Sequence, residues 1–160
     1  MLSLIVAMDP KQGIGLNGFL PWRIKEDLQL FKQATVNHKI IMGQITFMGL
    51  PKALPNRHTI VVTTNKEFTL DIENVSVEYD LIDLLKRYEH SDEEVFVCGG
   101  SSIYKQSLPY VNRLCISHVK KEYTVDAWFP EFDWKQFEKV KEVEYEEFVY
   151  CEYIRKEDVK

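Results

Sequence analysis

One carboxylate stands out by its company. Asp27 lies in the stretch GIGLNGFLPWRIKEDLQLF, residues 13–31, beside Leu28, four positions before Phe31 and shortly after the Pro21-Trp22 corner. On a helix, positions four apart share a flank. A carboxylate framed by Leu, Phe and Trp reads as a polar anchor inside an apolar pocket. The ordinary reading is a first-turn acid favoured by the helix dipole alone. Before the helix, Gly13, Gly15 and Gly18 make a flexible loop. Pro21 fixes its own backbone and biases Leu20 toward extended geometry.

Two further stretches carry chemistry through their backbone. Residues 43–46 and 99–102 place small residues between an apolar run and a helix, where N–H groups cradle phosphate. Neither is a GxGxxG or GxxxxGK[ST] element, and GxSxG is absent, so ATP-cradling machinery and nucleophilic hydrolysis have no motif here. Cys98, Cys115 and Cys151 are odd in number, widely spaced and set in apolar runs, which predicts buried free thiols in a reducing, cytoplasmic setting. His38, His58, His90 and His118 are scattered, and no metal site is expected.

These residues must be held by a scaffold of 160 residues, 45% apolar and 28% charged, which suits one soluble domain with a sizeable core. The formal net charge of −5 argues against nucleic acid, and no apolar run approaches the roughly 20 residues that span a membrane. The opening MLSLIVAMDP reads as a first strand rather than a signal peptide. Strands are predicted at 2–8, 39–42, 58–64, 75–77, 94–98 and 113–119, and a closing hairpin at 134–143 and 147–155. Helices are predicted at 25–36, near 45, at 81–88 and from 101 to about 108, with 120–130 a long connection and 156–160 a frayed tail. Helices alternate with strands until the last two strands. The pattern predicts an α/β fold: a single-domain, predominantly parallel eight-stranded mixed sheet with flanking helices and a C-terminal antiparallel hairpin. Ligands then belong outside the carboxyl ends of the parallel strands.

The motifs SLIVAMD (3–9), IG (14–15), LPW (20–22), DLxxF (27–31), IMG (41–43), LPNR (54–57), GG…IY (99–104), SHV (117–119) and D..FP (126–130) occur in order along nearly the whole chain. In this set the sequence resembles the bacterial dihydrofolate reductases. The resemblance implies NADPH-dependent reduction of 7,8-dihydrofolate to 5,6,7,8-tetrahydrofolate by one domain over 1–160, with the adenosine side of the cofactor on roughly 38–88. It implies hydride transfer from nicotinamide C4 to pterin C6 and water-assisted protonation at N5. It further implies a cytoplasmic monomer that binds dihydrofolate and antifolate-like small molecules, without nucleic-acid or membrane partners.

By the same resemblance Asp27 grips the pterin through N3 and the 2-amino group and supports protonation. Trp22 holds an ordered water, Ser117 bonds Asp27 from behind, and Tyr104 lies close to both rings. Ile5, Val6 and Cys98 floor the pocket; Leu28, Phe31, Leu50 and Leu54 wall it; Arg57 pairs with the α-carboxylate of the glutamate tail. For the cofactor it implies Ala7 and Ile14 at the carboxamide, with Gly15, Asn17, Gly18 and Leu20 on the loop that closes over it. Gly43, Gln44, Ile45, Thr46, Thr63 and Thr64, then Cys98, Gly99, Gly100, Ser101, Ser102, Ile103 and Tyr104, hold the rest. Asp126 is expected to help hold that loop closed.

The sequence departs from the family's pattern at several points. Gln44 and Ser102 stand where basic residues are usual, Met48 where Glu is frequent, Lys25 for a proline, and Val125 where a glycine precedes the aspartate. The missing cations make NADH tolerance an expectation, with His58 or Lys66 as replacement partners for the 2′-phosphate. Two rival readings are a riboflavin-precursor reductase of the same fold and a non-catalytic folate- or nucleotide-binding module. The first needs neither the Asp27 pocket nor Arg57, and the second binds without transferring hydride.

Overall fold

In a computed structural model, residues 1–156 are described. The chain begins with β1 (Leu2–Met8), whose nearly unbroken apolar run reflects burial on both faces. Leu4, Val6 and Met8 enter one core; Ile5 enters the other, with Ala7 packed against it. A short β2 (Gly13–Gly15) precedes α1 (Lys25–Thr35). Next come β3 (Lys39–Gly43), α2 (Gln44–Met48), β4 (His58–Val62), β5 (Val75–Glu78) and α3 (Leu81–Tyr88). The chain closes with β6 (Val95–Val97), α4 (Ser101–Ser107), β7 (Arg113–Val119), β8 (Ala127–Trp128), β9 (Phe137–Glu144) and β10 (Phe148–Arg155).

Eight strands form one sheet in the order β5-β4-β3-β6-β1-β7-β10-β9. Pairing is parallel from β5 to β7 and antiparallel at β7–β10 and β10–β9, as the strand and helix pattern predicts. The chain steps out from β1 to β3, β4 and β5, returns to fill the slot at β6, then crosses β1 to β7. That reversal leaves a crevice outside the carboxyl ends of β1, β6 and β3, where ligands of open α/β sheets gather. One core packs Leu81, Leu84 and Leu85 of α3 against the sheet; the other takes Leu30, Phe31 and Ala34 of α1.

Three expectations change. The final hairpin does not start at 134: residues Trp134–Gln136 form a 3-10 turn, because the Asp133 carboxylate accepts a hydrogen bond from Lys135 N at 3.0 Å and such local bonds compete with strand pairing. The long connection is not all loop, since β8 pairs with β2 in a separate two-stranded sheet. The Gly-punctuated loop is correspondingly more ordered than its composition suggests. Asn17 (φ 53°) and Gly18 (φ 83°) both adopt positive φ, and Leu16 and Phe19 exchange backbone hydrogen bonds of 2.8 and 3.0 Å around them. This is the two-residue turn that an Asn-Gly pair favours. The expected fraying at 157–160 lies outside the described residues.

Candidate active site

The crevice opens into a cavity of about 760 Å³. α1 brings Asp27 to it. The side chain is buried, and burial raises its pKa above the ordinary 3.8, while a hydrogen bond with the Ser117 side chain pulls the other way without prevailing. The position in a first helical turn favours the charged form, yet desolvation of the carboxylate outweighs it. Ser117 comes from β7, opposite Tyr150 of β10, and both line the cavity.

Trp22, on the corner before α1, is buried, and its indole Nε1 has no hydrogen-bond partner among the described residues. A buried unpaired donor costs about 1–3 kcal/mol, and Trp22 stands on the cavity wall. Its ring packs on Tyr123 with centroids 5.3 Å apart. Tyr104 of α4 donates its hydroxyl to Ile5 O at 2.8 Å, fixing the ring on the cavity floor; burial pushes its pKa up.

The floor is bare at Gly99 and Gly100. Gly99 has φ 102°, and a Cβ there would lie 3.2 Å from the Tyr104 ring; one on Gly100 would lie 3.3 Å from Thr46 Oγ1. The peptide between the two glycines is cis. Backbone without side chains lets a flat ring approach closely.

The sequence-predicted residues sort into three groups. Ile5, Val6, Trp22, Asp27, Leu28, Phe31, Leu50, Leu54, Cys98, Tyr104 and Ser117 line this cavity, as do Ala7, Ile14, Gly15, Gly18, Leu20, Thr46, Gly99, Gly100 and Ser101. Thr63, Thr64, Ser102 and Ile103 instead line a second cavity of about 590 Å³ beyond β4 and α4. Gly43, Gln44, Ile45, Asn17 and Arg57 line neither.

Gly43 and Gln44 are nevertheless bonded to residues that line the cavities. Gly43 N donates to Gly99 O at 2.9 Å, and Gln44 Oε1 accepts from Thr63 Oγ1 at 2.6 Å. Arg57 is buried; it donates from Nε to Pro55 O at 2.9 Å and from Nη1 to Thr35 Oγ1 at 3.1 Å, bonds that do not engage Nη2. Ile45 is 85% exposed and touches neither cavity. His58, a suggested cation for the cofactor, sits at the opposite end of β4 from Thr63 and bonds Ser76 Oγ at 2.9 Å. It therefore lies away from the second cavity and lines neither one. Cys115 and Cys151 are buried free thiols as expected, but Cys98 is only half-buried, because it faces the cavity.

Sequence reasoning missed Phe19, Arg23, Met42, Tyr150 and Ala127 on the larger cavity and Tyr79, Asp80 and Gln106 on the smaller. The hairpin signal of Asn17-Gly18 places Phe19 at the mouth; the others come from strand and helix packing that no local motif announces.

The loop over the cavity is fastened to the β8 segment. Asp126 N donates to Gly15 O at 2.9 Å, and Asn17 N donates to Asp126 Oδ2 at 3.0 Å. Beneath, buried Asp9 accepts from Gly13 N at 2.7 Å, Lys11 N at 2.9 Å and Tyr123 N at 3.1 Å. Among the described residues no helix is long and apolar enough to cross a membrane.

Comparison with known proteins matches residues 1–155 to the family described as dihydrofolate reductase. The dihydrofolate reductase of Staphylococcus haemolyticus is 35% identical over 156 residues, covering 96% of this chain and 92% of its own. That of Bacillus subtilis is 40% identical over 138 residues, covering 84% and 80%. The solved dihydrofolate reductase of Enterococcus faecalis, complexed with NADP(H) and RAB-propyl, superposes with a TM-score of 0.88 at 32% identity, covering 98% of this chain and 97% of that one.

Proposed function

This chain belongs to the dihydrofolate reductase family, and we propose that its larger cavity is where it reduces 7,8-dihydrofolate to 5,6,7,8-tetrahydrofolate with NADPH. The observation that carries this assignment is the buried Asp27 carboxyl, with raised pKa, in an otherwise mostly apolar cavity.

Bound NADPH supplies the hydride, from nicotinamide C4 to pterin C6. The chain does the rest. Asp27 accepts hydrogen bonds from N3 and the 2-amino group of the pterin, and Ser117 holds the carboxyl in position. With its pKa raised, Asp27 retains a proton at a higher pH than an exposed aspartate does and favours protonation at N5. The unpaired Trp22 Nε1 donates to the water that delivers that proton. Ile5, Val6 and Cys98 floor the pterin site, and Leu28, Phe31, Leu50 and Leu54 wall it and exclude water. Arg57, oriented by Thr35 and Pro55, presents its guanidinium to the glutamate α-carboxylate.

The bare Gly99-Gly100 floor fits a flat nicotinamide ring, with Ala7 and Ile14 at its carboxamide and Tyr104 beside it. Holding two rings face to face in a dry site is the main catalytic contribution such a cavity makes. Gly43, Thr46, Ser101 and Ser102 lie along the path from this floor to the second cavity. That cavity takes the adenosine end; most of its lining residues fall in the 38–88 segment. The loop carrying Gly15, Asn17, Gly18 and Leu20 closes over the nicotinamide, and Asp126 holds it there.

We propose that the protein, small and acidic, acts as a monomer on small molecules, antifolates among them. Three free thiols fit the reducing cytoplasm. Adding 7,8-dihydrofolate to the chain with NADPH should consume reduced-nicotinamide absorbance one for one. Tight binding of both without consumption would instead identify a non-catalytic module.

A further inference from the structure

The second cavity is poor in positive charge for a site that receives a phosphorylated nucleotide. Among the described residues, Lys66 is the one cation on its wall and Asp80 the one carboxylate. Lys66 makes no ion pair among those residues. Asp80 is held in place as the cap of α3, its Oδ1 accepting from Asp83 N at 3.1 Å.

The neutral donors nearby are largely spent on one another. Thr63 Oγ1 donates to Gln44 Oε1 at 2.6 Å and accepts from Asn65 N at 3.1 Å. Gln106 Nε2 donates to Ser102 O at 3.3 Å and Ser102 Oγ at 3.0 Å. Gln44 reaches Thr63 at the rim with an uncharged amide rather than a cation.

We propose that Lys66 supplies the cation that recognises the 2′-phosphate of NADPH, that Asp80 opposes it, and that the enzyme therefore prefers NADPH over NADH by about tenfold or less. This rests on the reading that the second cavity takes the adenosine end of the cofactor. A phosphate monoester carries about −1.5 to −2 charges near neutral pH. One solvated lysine attracts it, and a neighbouring carboxylate repels it. Exposed charge pairs contribute little, so the balance amounts to about tenfold or less in favour of NADPH. NADH lacks the phosphate and is indifferent to both side chains.

The test measures NADPH and NADH dissociation constants on the full chain by isothermal titration calorimetry, for wild type, Lys66→Gln, Asp80→Asn and Gln44→Arg. Asn replaces Asp at a helix cap without loss, so Asp80→Asn keeps α3 intact. The expected wild-type ratio is about tenfold or less. Lys66→Gln weakens NADPH severalfold and leaves NADH unchanged; Asp80→Asn and Gln44→Arg tighten NADPH and leave NADH unchanged. A wild-type preference of about a hundredfold or more, well beyond what one exposed pair supplies, overturns the proposal. So does a ratio that Lys66→Gln leaves untouched while both dinucleotides still bind. Binding of neither dinucleotide would overturn the underlying reading of the cavities, and the proposal with it.

Discussion

Gly13 and Val125 fit together as a small and a large residue across two loops. A Cβ on Gly13 would lie 2.7 and 2.8 Å from the two Val125 methyl carbons and 3.1 Å from Asp9 Oδ1. Val125 is not among the residues with positive φ. Its side chain fills the space that Gly13 leaves, above the Asp9 carboxylate that ties both segments down.

Gly13→Ala is expected to destabilise the protein by about 1–3 kcal/mol through overpacking. In Gly13→Ala/Val125→Ala the clash with the valine methyls is gone, and the double variant should be more stable than the two single effects summed by about 1 kcal/mol. Urea unfolding of the four proteins checks this; strict additivity would mean that the two residues do not share the space.

Asp27 makes a prediction about stability with a defined sign. Its folded pKa is raised from 3.8 by burial, so between 3.8 and the raised value the folded state holds more protons than the unfolded one, and its contribution to stability falls as pH rises. Asp27→Asn should therefore be more stable than wild type at pH about 7, where the buried charge is the penalised form. The gap should close below the ordinary carboxyl value. Thermal unfolding across pH measures it; a less stable variant at neutral pH would place the carboxylate in a compensated environment.

The sheet, the helices and the Asp27 pocket are legible in the sequence because each is written locally. Leu2–Met8 is apolar on both faces, α3 repeats Leu81, Leu84 and Leu85 at helical spacing, and Asp27 stands beside Leu28 and before Phe31. What is not legible depends on long-range pairing. The β2–β8 sheet joins segments more than a hundred residues apart through two and three residues, too few to show a period. Arg57 is buried and bonded to Thr35 at the far end of α1, 22 residues away, a contact that no local pattern announces.

That contact gives the next prediction. Thr35→Val keeps the shape and removes the oxygen that both donates to Phe31 O at 2.7 Å and accepts from Arg57. With a hydrogen bond to a charged group worth about 1.5–3 kcal/mol, the guanidinium should lose its orientation. KM for dihydrofolate should rise about tenfold with little change in kcat. A substrate lacking the glutamate should be unaffected. Equal losses for both substrates would show that Arg57 does not meet the tail.

Trp22→Phe removes the unpaired indole N–H while keeping a ring against Tyr123. If that N–H serves the bound state, kcat/KM for dihydrofolate should fall by about tenfold, the worth of one hydrogen bond. The melting temperature should not fall by much, because losing an unpaired buried donor offsets part of the packing lost with the smaller ring. A large drop in melting temperature with unchanged kinetics would make Trp22 a packing residue alone.

In the proposed function, the buried carboxyl at position 27 enables hydride transfer to the pterin. The direct measurement is single-turnover loss of reduced-nicotinamide absorbance after mixing preformed NADPH complexes of wild type and Asp27→Asn with 7,8-dihydrofolate at neutral pH. Turnover is expected from wild type, with a loss of about a hundredfold or more in the folded variant, the usual worth of a positioned acid–base group. An Asp27→Asn enzyme that transfers hydride at the wild-type rate would contradict that role.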